Sequence, residues 1–110
     1  MYFVYIIRCR DGSLYTGITT DPVRRFREHS GEVPNGAKFT HSHPPAALEA
    51  LWSCADRSSA SKLEYAIKKL RREQKLRIIA DDAAFAELLG SEYAALCERE
   101  ELPAELKQGT

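Results

Sequence analysis

Two apolar runs in the first twenty residues, separated by a short polar segment, are the feature that most constrains the fold. The runs cover residues 2–7 and 14–19, and both are rich in aromatic and β-branched side chains. The segment between them contains Asp11-Gly12-Ser13, a composition that is typical of a turn. The chain is therefore predicted to begin with a β-hairpin.

A helix is predicted directly after the hairpin. Asp21 is a good helix cap and Pro22 suits the first helical position, and the helix is expected to run to Ser30-Gly31. Residues 31–46 contain three of the five prolines, two glycines and two histidines, without a regular period. We therefore expect a long loop there.

The rest of the chain is predicted to contain a third strand and then helices. Residues 47–55 are a short apolar run that suits a buried strand, although so short a run also allows a helix. Residues 58–61 supply candidate serine caps for a second helix. The apolar face of that helix consists of Leu63, Ala66, Ile67 and Leu70.

Two further helical segments are expected after the second helix. A short one contains Leu76, Ile78 and Ile79. A longer one covers residues 81–101, with Gly90-Ser91 as a possible break. Its inward side chains are expected to be Phe85, Leu88, Leu89 and Leu96.

Composition indicates one globular domain. The chain has 110 residues, of which 44% are hydrophobic and 29% are charged. The opening apolar run is far shorter than the roughly 20 residues that span a bilayer, and it lacks the charge order of a secretory signal. We therefore expect a cytoplasmic protein without membrane contact. The three cysteines form no C-x-x-C pair, which predicts free thiols.

The formal net charge of zero conceals two halves of opposite sign. Residues 1–79 carry 14 Lys and Arg against 8 Asp and Glu, whereas residues 80–110 carry 2 against 8. A basic body is able to hold a polyanion, and an acidic tail is able to lie against that surface or compete for it. The alternative is that both halves are simply solvated faces.

Two tyrosines, one on each arm of the predicted hairpin, are candidates for one site. Val4-Tyr5-Ile6 and Tyr15-Thr16-Gly17, together with residues 18–29, resemble the signature of the GIY-YIG nuclease family. Residues 36–40 and 63–70 follow in the order shown by small, single-domain bacterial members, so the resemblance covers about residues 2–79.

The resemblance implies a fold and a domain division. The expected fold is an α+β sandwich, with a three-stranded, mostly antiparallel sheet flanked by helices and an added C-terminal helix. Residues 1–80 would form the nuclease domain, and residues 81–110 would form an acidic helical extension of that domain.

The resemblance also implies a function. It is metal-dependent endonuclease activity on DNA with low intrinsic sequence specificity, in DNA repair or in the processing of incoming DNA. Mg²⁺ is the expected cofactor, and Mn²⁺ is a possible substitute. The implied catalytic residues are Tyr5, Tyr15, Arg25, His29 and Glu64.

The residues themselves suit this chemistry. Hydrolysis of a phosphodiester needs an activated water and positive charge near the phosphoryl oxygens. Arg25 and His29 are four residues apart on one helix face, so Arg25 suits a phosphate clamp and His29 suits acceptance of a proton from Tyr5 or water. The alternative is that Tyr5 and Tyr15 are core aromatics and His29 is a surface residue.

Glu64 is the candidate metal ligand. It lies on the second helix within or beside the apolar stripe, and one carboxylate with several waters suits Mg²⁺. On spacing alone, an ion pair with Lys68 is an equal alternative.

A basic surface is the candidate nucleic-acid footprint. Lys68, Arg72 and Lys75 have a spacing that would place them along one face of the second helix. A solvated helix face is nearly as good an interpretation. The full set of candidate nucleic-acid contacts is Arg24, Lys38, His41, Lys68, Arg72 and Lys75.

The sequence departs from the family pattern in several places. Phe3 and Thr16 replace a glycine and an isoleucine, and no asparagine follows Glu64, although many family nucleases use one there. Gln74 is a weak substitute. His41 and His43 could bind a metal, but no third ligand is evident.

Two other functions stay open at this stage. One is a nucleic-acid-binding module with an incomplete catalytic site. The other is a nuclease subunit that recruits a protein partner through residues 81–110.

Overall fold

The computed structural model describes residues 1–31 and 43–106. The strands are β1 (Tyr2–Cys9), β2 (Leu14–Thr19), β3 (Pro45–Cys54) and β4 (Cys97–Arg99). The helices are α1 (Pro22–His29), α2 (Arg57–Lys68), α3 (Arg72–Ala80), α4 (Asp82–Leu89) and α5 (Ser91–Leu96), followed by a 3₁₀ turn at Ala104–Leu106.

The four strands form one antiparallel sheet in the order β2-β1-β3-β4. The predicted hairpin is confirmed, and its register places Tyr5 opposite Gly17. The predicted α+β class is also confirmed. The expectation of three strands is wrong, because β4 pairs with the end of β3.

The two faces of the sheet bury different clusters, since successive side chains of a strand point to opposite sides. One cluster joins Val4, Ile6 and Trp52 of the sheet to buried side chains of α2, α3 and α4. The other contains Tyr5 and Ile7, with α1 packed against it. Tyr5 therefore points toward the layer that contains α1.

The starts of α1 and α2 are fixed by aspartates. The side chain of Asp21 accepts a hydrogen bond from the Arg24 N–H at 3.2 Å, as predicted. In α2 the cap is Asp56, whose carboxylate accepts from the Ser59 N–H at 2.7 Å. The predicted serine caps at residues 58–61 are wrong, because these residues lie inside the helix.

The C-terminal part differs most from expectation. The helix predicted over residues 81–101 breaks at Gly90, where the sequence indicates a break and where φ is +99°. The prediction is wrong beyond residue 96, because Cys97–Arg99 forms β4. Phe85 is buried as predicted, whereas Leu96 is 47% exposed. Ala84 and Phe85 belong to the cluster that contains Val4 and Ile6.

Hydrogen bonds and a disulfide attach the C-terminal part to β3. Arg99 stacks 5.3 Å from the Trp52 ring, and Ser53 Oγ donates to Glu100 Oε2 at 2.6 Å. Cys54 and Cys97 form a disulfide. The expectation that all cysteines are free thiols is therefore wrong for this pair, since strand pairing brings the two residues together, while Cys9 is free and buried.

Three other observations bear on the expectations. The third strand is confirmed, but it begins at Pro45 instead of residue 47. Most of the predicted loop, residues 32–42, lies outside the described residues. The helical segment after α2 is confirmed as α3, although its Leu76 is 41% exposed. Within the described ranges, no helix has the length and apolar character to cross a membrane. The domain division at residue 80 stays a prediction.

Candidate active site

Tyr5 occupies the centre of the candidate site. It lies on the central strand β1, and only 3% of the residue is exposed. Its hydroxyl is 2.8 Å from Nε2 of His29, the last residue of α1. Two residues that are 24 positions apart in sequence are thereby joined by one buried hydrogen bond.

Gly17 allows the Tyr5 ring to lie where it does. A Cβ atom added at Gly17 would be 2.6 Å from Cζ of Tyr5 and closer still to its hydroxyl. Real Cβ atoms do not approach other atoms this closely, so the ring rests directly on the bare backbone of β2.

The electrostatics define the direction of the Tyr5–His29 hydrogen bond. Burial, assisted by the charge of Arg25 and partly offset by Glu28, lowers the pKa of His29 to about 4. Burial also raises the pKa of Tyr5 well above its ordinary value, despite the opposing effect of Arg25. Near neutral pH the Tyr5 hydroxyl therefore donates and the neutral imidazole accepts.

Tyr15 completes an aromatic group around this hydrogen bond. Its ring centroid is 5.1 Å from that of His29 in an edge-to-face arrangement and 6.2 Å from that of Tyr5. Such edge contacts fix ring orientation as well as burying area. The structure thus brings together the two hairpin tyrosines and the α1 histidine, as the sequence predicts.

Arg25 brings a permanent positive charge to the same place. Its guanidinium interacts with the Tyr5 hydroxyl. Nη1 also donates to Glu28 Oε1 at 2.8 Å, and the Arg25 side chain is 25% exposed. A partly buried guanidinium that remains accessible from solvent is suited to binding one phosphate.

Glu28 is a further residue of the site that the sequence alone does not single out. Its second oxygen, Oε2, lies 3.4 Å from Nε of Arg24, so one carboxylate holds two adjacent arginines. The Glu28 side chain is only 10% exposed. The i+3 and i+4 spacing from the two arginines was the available signal, but that spacing is common on solvated helix surfaces.

Glu64 reaches the site from the opposite layer. Its helix α2 packs across β2, β1 and β3, and β2 is the edge strand of the sheet. Burial is the main reason for the raised pKa of Tyr5, and the negative charge of Glu64 adds to it. This carboxylate therefore lies close enough to influence the Tyr5 hydroxyl.

The ion pair that spacing suggested for Glu64 is also present. Lys68 Nζ is 3.4 Å from Glu64 Oε2, and the Glu64 side chain is 25% exposed. The ion pair with Lys68 and the predicted role of Glu64 as a metal ligand are compatible, because a carboxylate has two oxygens. No group of three or more His, Cys, Asp or Glu side chains with metal-site geometry occurs in the described part of the chain.

The candidate nucleic-acid contacts do not form the predicted stripe. Helix α2 ends at Lys68, and Arg72 and Lys75 belong to α3, so the three residues do not share one helix. The prediction of a single face is wrong because the chain turns at residues 69–71. Arg72 donates to the backbone carbonyl of Gly12 in the hairpin turn.

The other sequence candidates are dispersed. Arg24 is exposed and pairs with Glu28, while Lys38 and His41 lie outside the described residues. His43 pairs with Asp11 of the hairpin. Gln74, the weak substitute for the missing asparagine, accepts the backbone N–H of Arg71 at 2.9 Å and so caps α3 instead.

Comparison with known proteins identifies the family. The model of the GIY-YIG catalytic domain matches residues 1–77. The chain belongs to the GIY-YIG family. The range matched by the GIY-YIG model contains all three strands of the predicted sheet and both helices that carry Arg25, His29 and Glu64.

The chain is similar to UPF0213 proteins of several bacteria. The UPF0213 protein DP2720 of Desulfotalea psychrophila is 44% identical over 94 residues, which is 84% of each chain. The UPF0213 protein YhbQ of Escherichia coli is 45% identical over 90 residues, covering 82% of this chain and 88% of that one. The solution NMR structure of the UPF0213 protein BH0048 from Bacillus halodurans is 34% identical, with a TM-score of 0.46 over 73% of this chain and 84% of that chain.

GIY-YIG membership gives the chain a nuclease-type catalytic domain. Of the residues that carry the resemblance, Tyr15, Arg25 and His29 lie around the Tyr5 side chain, and the charge of Glu64 acts on its hydroxyl. The chain has no asparagine after Glu64, and Gln74 is engaged elsewhere. A residue in the family's asparagine role is therefore not identified among the described residues of this GIY-YIG protein.

Proposed function

We propose that this protein is a divalent-metal-dependent endonuclease that hydrolyses DNA phosphodiester bonds with low sequence specificity. The observation that carries the proposal is the 2.8 Å hydrogen bond between Tyr5 and His29. It provides a buried route for a proton beside the guanidinium of Arg25. Any buried tyrosine hydroxyl needs a hydrogen-bond partner. Here the neighbouring groups are an imidazole, which is able to accept a proton, and a guanidinium, which is able to bind a phosphate.

The first step of the proposed mechanism removes a proton from the attacking water. The water transfers its proton to Tyr5 Oη while the Tyr5 proton moves to His29 Nε2. Because burial strongly disfavours a tyrosinate here, a coupled transfer is more favourable than prior ionisation of Tyr5. The new P–O bond forms as the bond to the leaving ester oxygen breaks, and the leaving oxygen gains a proton from solvent.

Substrate binding would prepare His29 for this role. The positive charge of Arg25 helps to hold the pKa of His29 at about 4, second to burial. A phosphate bound to Arg25 would offset that charge, and so the imidazole would become a stronger base. In the proposal, the site is therefore activated by the anion on which it acts.

The residues present fit a cation with few protein ligands. Glu64 supplies one partly exposed carboxylate whose charge acts at Tyr5, and it would hold a Mg²⁺ or Mn²⁺ ion together with water. A bound ion would supply positive charge to the phosphoryl oxygens. Lys68 would then release the Glu64 oxygen that it contacts and become available to the nucleic-acid backbone.

Low sequence specificity follows from the type of contact. Arg24, Arg25 and Lys68 carry charges suited to phosphates, which are the same at every nucleotide. The sequence contains no motif that indicates reading of base edges in a groove. The endonuclease is therefore expected to cut at many sequences.

The test is cleavage of labelled single-stranded and duplex DNA by the wild type and the Glu64→Gln and Tyr5→Phe variants. Glu73→Gln is the matched control, because the Glu73 side chain is 69% exposed on α3. We expect metal-dependent cutting by the wild type and control, and at least a 100-fold loss in both site variants. Cutting that persists in Glu64→Gln, or that needs no metal, would refute the proposed mechanism.

A second candidate function is nucleic-acid binding without cleavage. It is favoured by the absence of an asparagine after Glu64 and by the ion pair between Glu64 and Lys68. In that case salt-sensitive binding of DNA would be retained and no metal would support cutting. The same experiment, with binding measured beside cleavage, distinguishes the two functions.

Recruitment of a protein partner through residues 81–110 stays a third proposal. Ala84, Phe85 and Cys97 are buried in the core, so deleting this segment would damage the fold. The proposal is better tested on exposed acidic side chains. Glu92→Gln and Glu98→Gln should reduce partner binding without changing the unfolding temperature.

A further inference from the structure

We propose that Tyr65 and Lys69 form a binding site for a nucleobase next to the cleaved phosphate. This inference deepens the proposed function and rests on it. In the proposed complex the base lies on the Tyr65 ring, and the ammonium group of Lys69 contacts the adjoining phosphate. None of the steps of hydrolysis described above uses either residue.

The exposure of Tyr65 is the first observation. It is 63% exposed, although it lies in the last turn of α2 between residues that pack into the core. Its neighbours Leu63 and Ile67 are completely buried. The hydroxyl of a tyrosine tolerates water, but the open ring presents a flat apolar face on which a base is able to stack.

The second observation is the position of Lys69. Its Nζ is 4.4 Å from the centroid of the Tyr65 ring, which is within the range of a cation–π contact. The ammonium lies over one face of the ring, so in the proposed site a base stacks on the opposite face while the cation neutralises the adjoining backbone.

The third observation is continuity with the candidate active site. Glu64 precedes Tyr65, and consecutive side chains of an α-helix point about 100° apart. Lys68 pairs with Glu64, and Lys69, the residue directly after α2, pairs with Tyr65, so the two pairs are neighbours at the C-terminal end of this helix. A strand whose phosphate is held between Arg25 and Glu64 would place a flanking base near the Tyr65 pair.

The occupant is defined by this combination. A base is able to stack on a protein ring only when that face is not covered by a neighbouring base, so the site requires a nucleotide that is unstacked or turned out of the duplex. Stacking is tolerant of base identity because every base has a π-face. The site would therefore select local strand geometry and not sequence.

The experiment uses oligonucleotides with 2-aminopurine at successive positions, bound to the full-length protein in the presence of chelator. Fluorescence of 2-aminopurine reports stacking, and filter binding reports affinity. The variants are Tyr65→Ala, Tyr65→Phe and Lys69→Gln. Leu76→Ala is the control, because Leu76 is another exposed large apolar side chain, on α3.

We expect Tyr65→Ala to bind about 10-fold more weakly and to lose quenching at one position, whereas Tyr65→Phe and the control retain both. Lys69→Gln should weaken binding and reduce its salt dependence while quenching remains. An abasic nucleotide at the quenched position should lower the binding affinity of the wild type but should not change that of the Tyr65→Ala variant.

Two results would overturn the inference. If the Tyr65→Ala variant keeps the affinity and the quenching of the wild type, then the ring binds no base. An equal loss in Tyr65→Phe would assign the effect to the hydroxyl. If the wild type binds no nucleic acid at all, then the proposed function itself fails, and this outcome is distinguishable because no variant is needed to observe it.

Discussion

The ring of Tyr5 fills the space that a side chain at Gly17 would occupy, and the two residues are directly opposed in the β1–β2 register. Gly17→Ala would place a methyl carbon 2.6 Å from Cζ of Tyr5. We expect the ring to shift, at a cost of about 1–3 kcal/mol in unfolding free energy and about a 100-fold loss of cleavage. Urea unfolding and cleavage assays measure the two effects.

A double-mutant cycle isolates this contact. In a Tyr5→Ala background the methyl group has room, so the added cost of Gly17→Ala in unfolding free energy should nearly vanish. If the cost is the same in both backgrounds, then the effect of the methyl group does not come from the Tyr5 ring.

The carboxylate of Glu28 is expected to align Arg25 and not to bind substrate. Glu28→Gln removes a negative charge that faces the phosphate site, so KM for DNA should stay the same or fall, while kcat falls about tenfold because Arg25 is no longer held. Loss of this charge should also lower the pKa of His29 further, since Glu28 now raises it. Steady-state kinetics and NMR titration of His29 measure these effects, and Glu73→Gln is the control. A rise in KM with unchanged kcat would contradict the alignment role.

Stability should fall as pH decreases between about 6.5 and 4, because of His29. Its pKa is about 4 in the folded protein against 6.5 when unperturbed, so in this window the unfolded chain binds a proton that the folded protein does not. The contribution of His29 to the free energy of unfolding is fully present above pH 6.5 and is lost as pH falls. The free energy of unfolding should therefore decrease by about 2 kcal/mol between pH 7 and pH 5. Urea unfolding at these two pH values measures the difference.

His29→Gln is the control for this pH effect, because glutamine does not titrate. The difference between pH 7 and pH 5 should largely disappear in that variant. Carboxylates with lowered pKa, such as Glu28 and Asp56, lose their contribution only at lower pH. An unchanged slope in His29→Gln would assign the effect to another group.

Replacement of a buried hydroxyl should stabilise the protein. Thr16 is 3% exposed, and its Oγ1 has no hydrogen-bond partner among the described residues. Thr16→Val keeps the shape and removes the unsatisfied group, so we expect a gain of about 1 kcal/mol. Thr19→Val is the matched control on the same strand, since Thr19 Oγ1 accepts a hydrogen bond from the Asp21 N–H at 3.0 Å. The unfolding temperature should rise in Thr16→Val and fall in Thr19→Val. A lower unfolding temperature of Thr16→Val would show that the Thr16 hydroxyl has a hydrogen-bond partner in solution.

Local patterns were enough to predict the elements that form the site. The hairpin and α1 depend on alternation, turn residues and caps, all of which are properties of short segments. Asp56 was missed as the cap of α2 because Ser58 and its neighbours are equally good capping residues within one turn. The convergence of Tyr5, Tyr15 and His29 also followed from adjacency of the segments that carry them.

Contacts between distant segments could not be predicted in the same way. Strand β4 contains only Cys97, Glu98 and Arg99, and its formation depends on the free edge of β3 at residues 52–54. The Cys54–Cys97 bond depends on that pairing. The role of Glu28 depends on the contact between Arg25 and Tyr5. Residue spacing along one helix does not predict such a contact between a helix and a strand.

The cluster that supports Tyr5 also has a consequence for the order of events during synthesis. Tyr5 shares this cluster with Leu106 of the 3₁₀ turn and with Leu102, which packs against it. Both leucines are translated about a hundred residues after the tyrosine. The packing beneath the Tyr5 ring is therefore completed only after residue 106 has left the ribosome. A nascent chain that already displays the whole hairpin would still lack the packing that supports the Tyr5 hydroxyl. Under the proposed function, cleavage would therefore begin only after residue 106 has been translated.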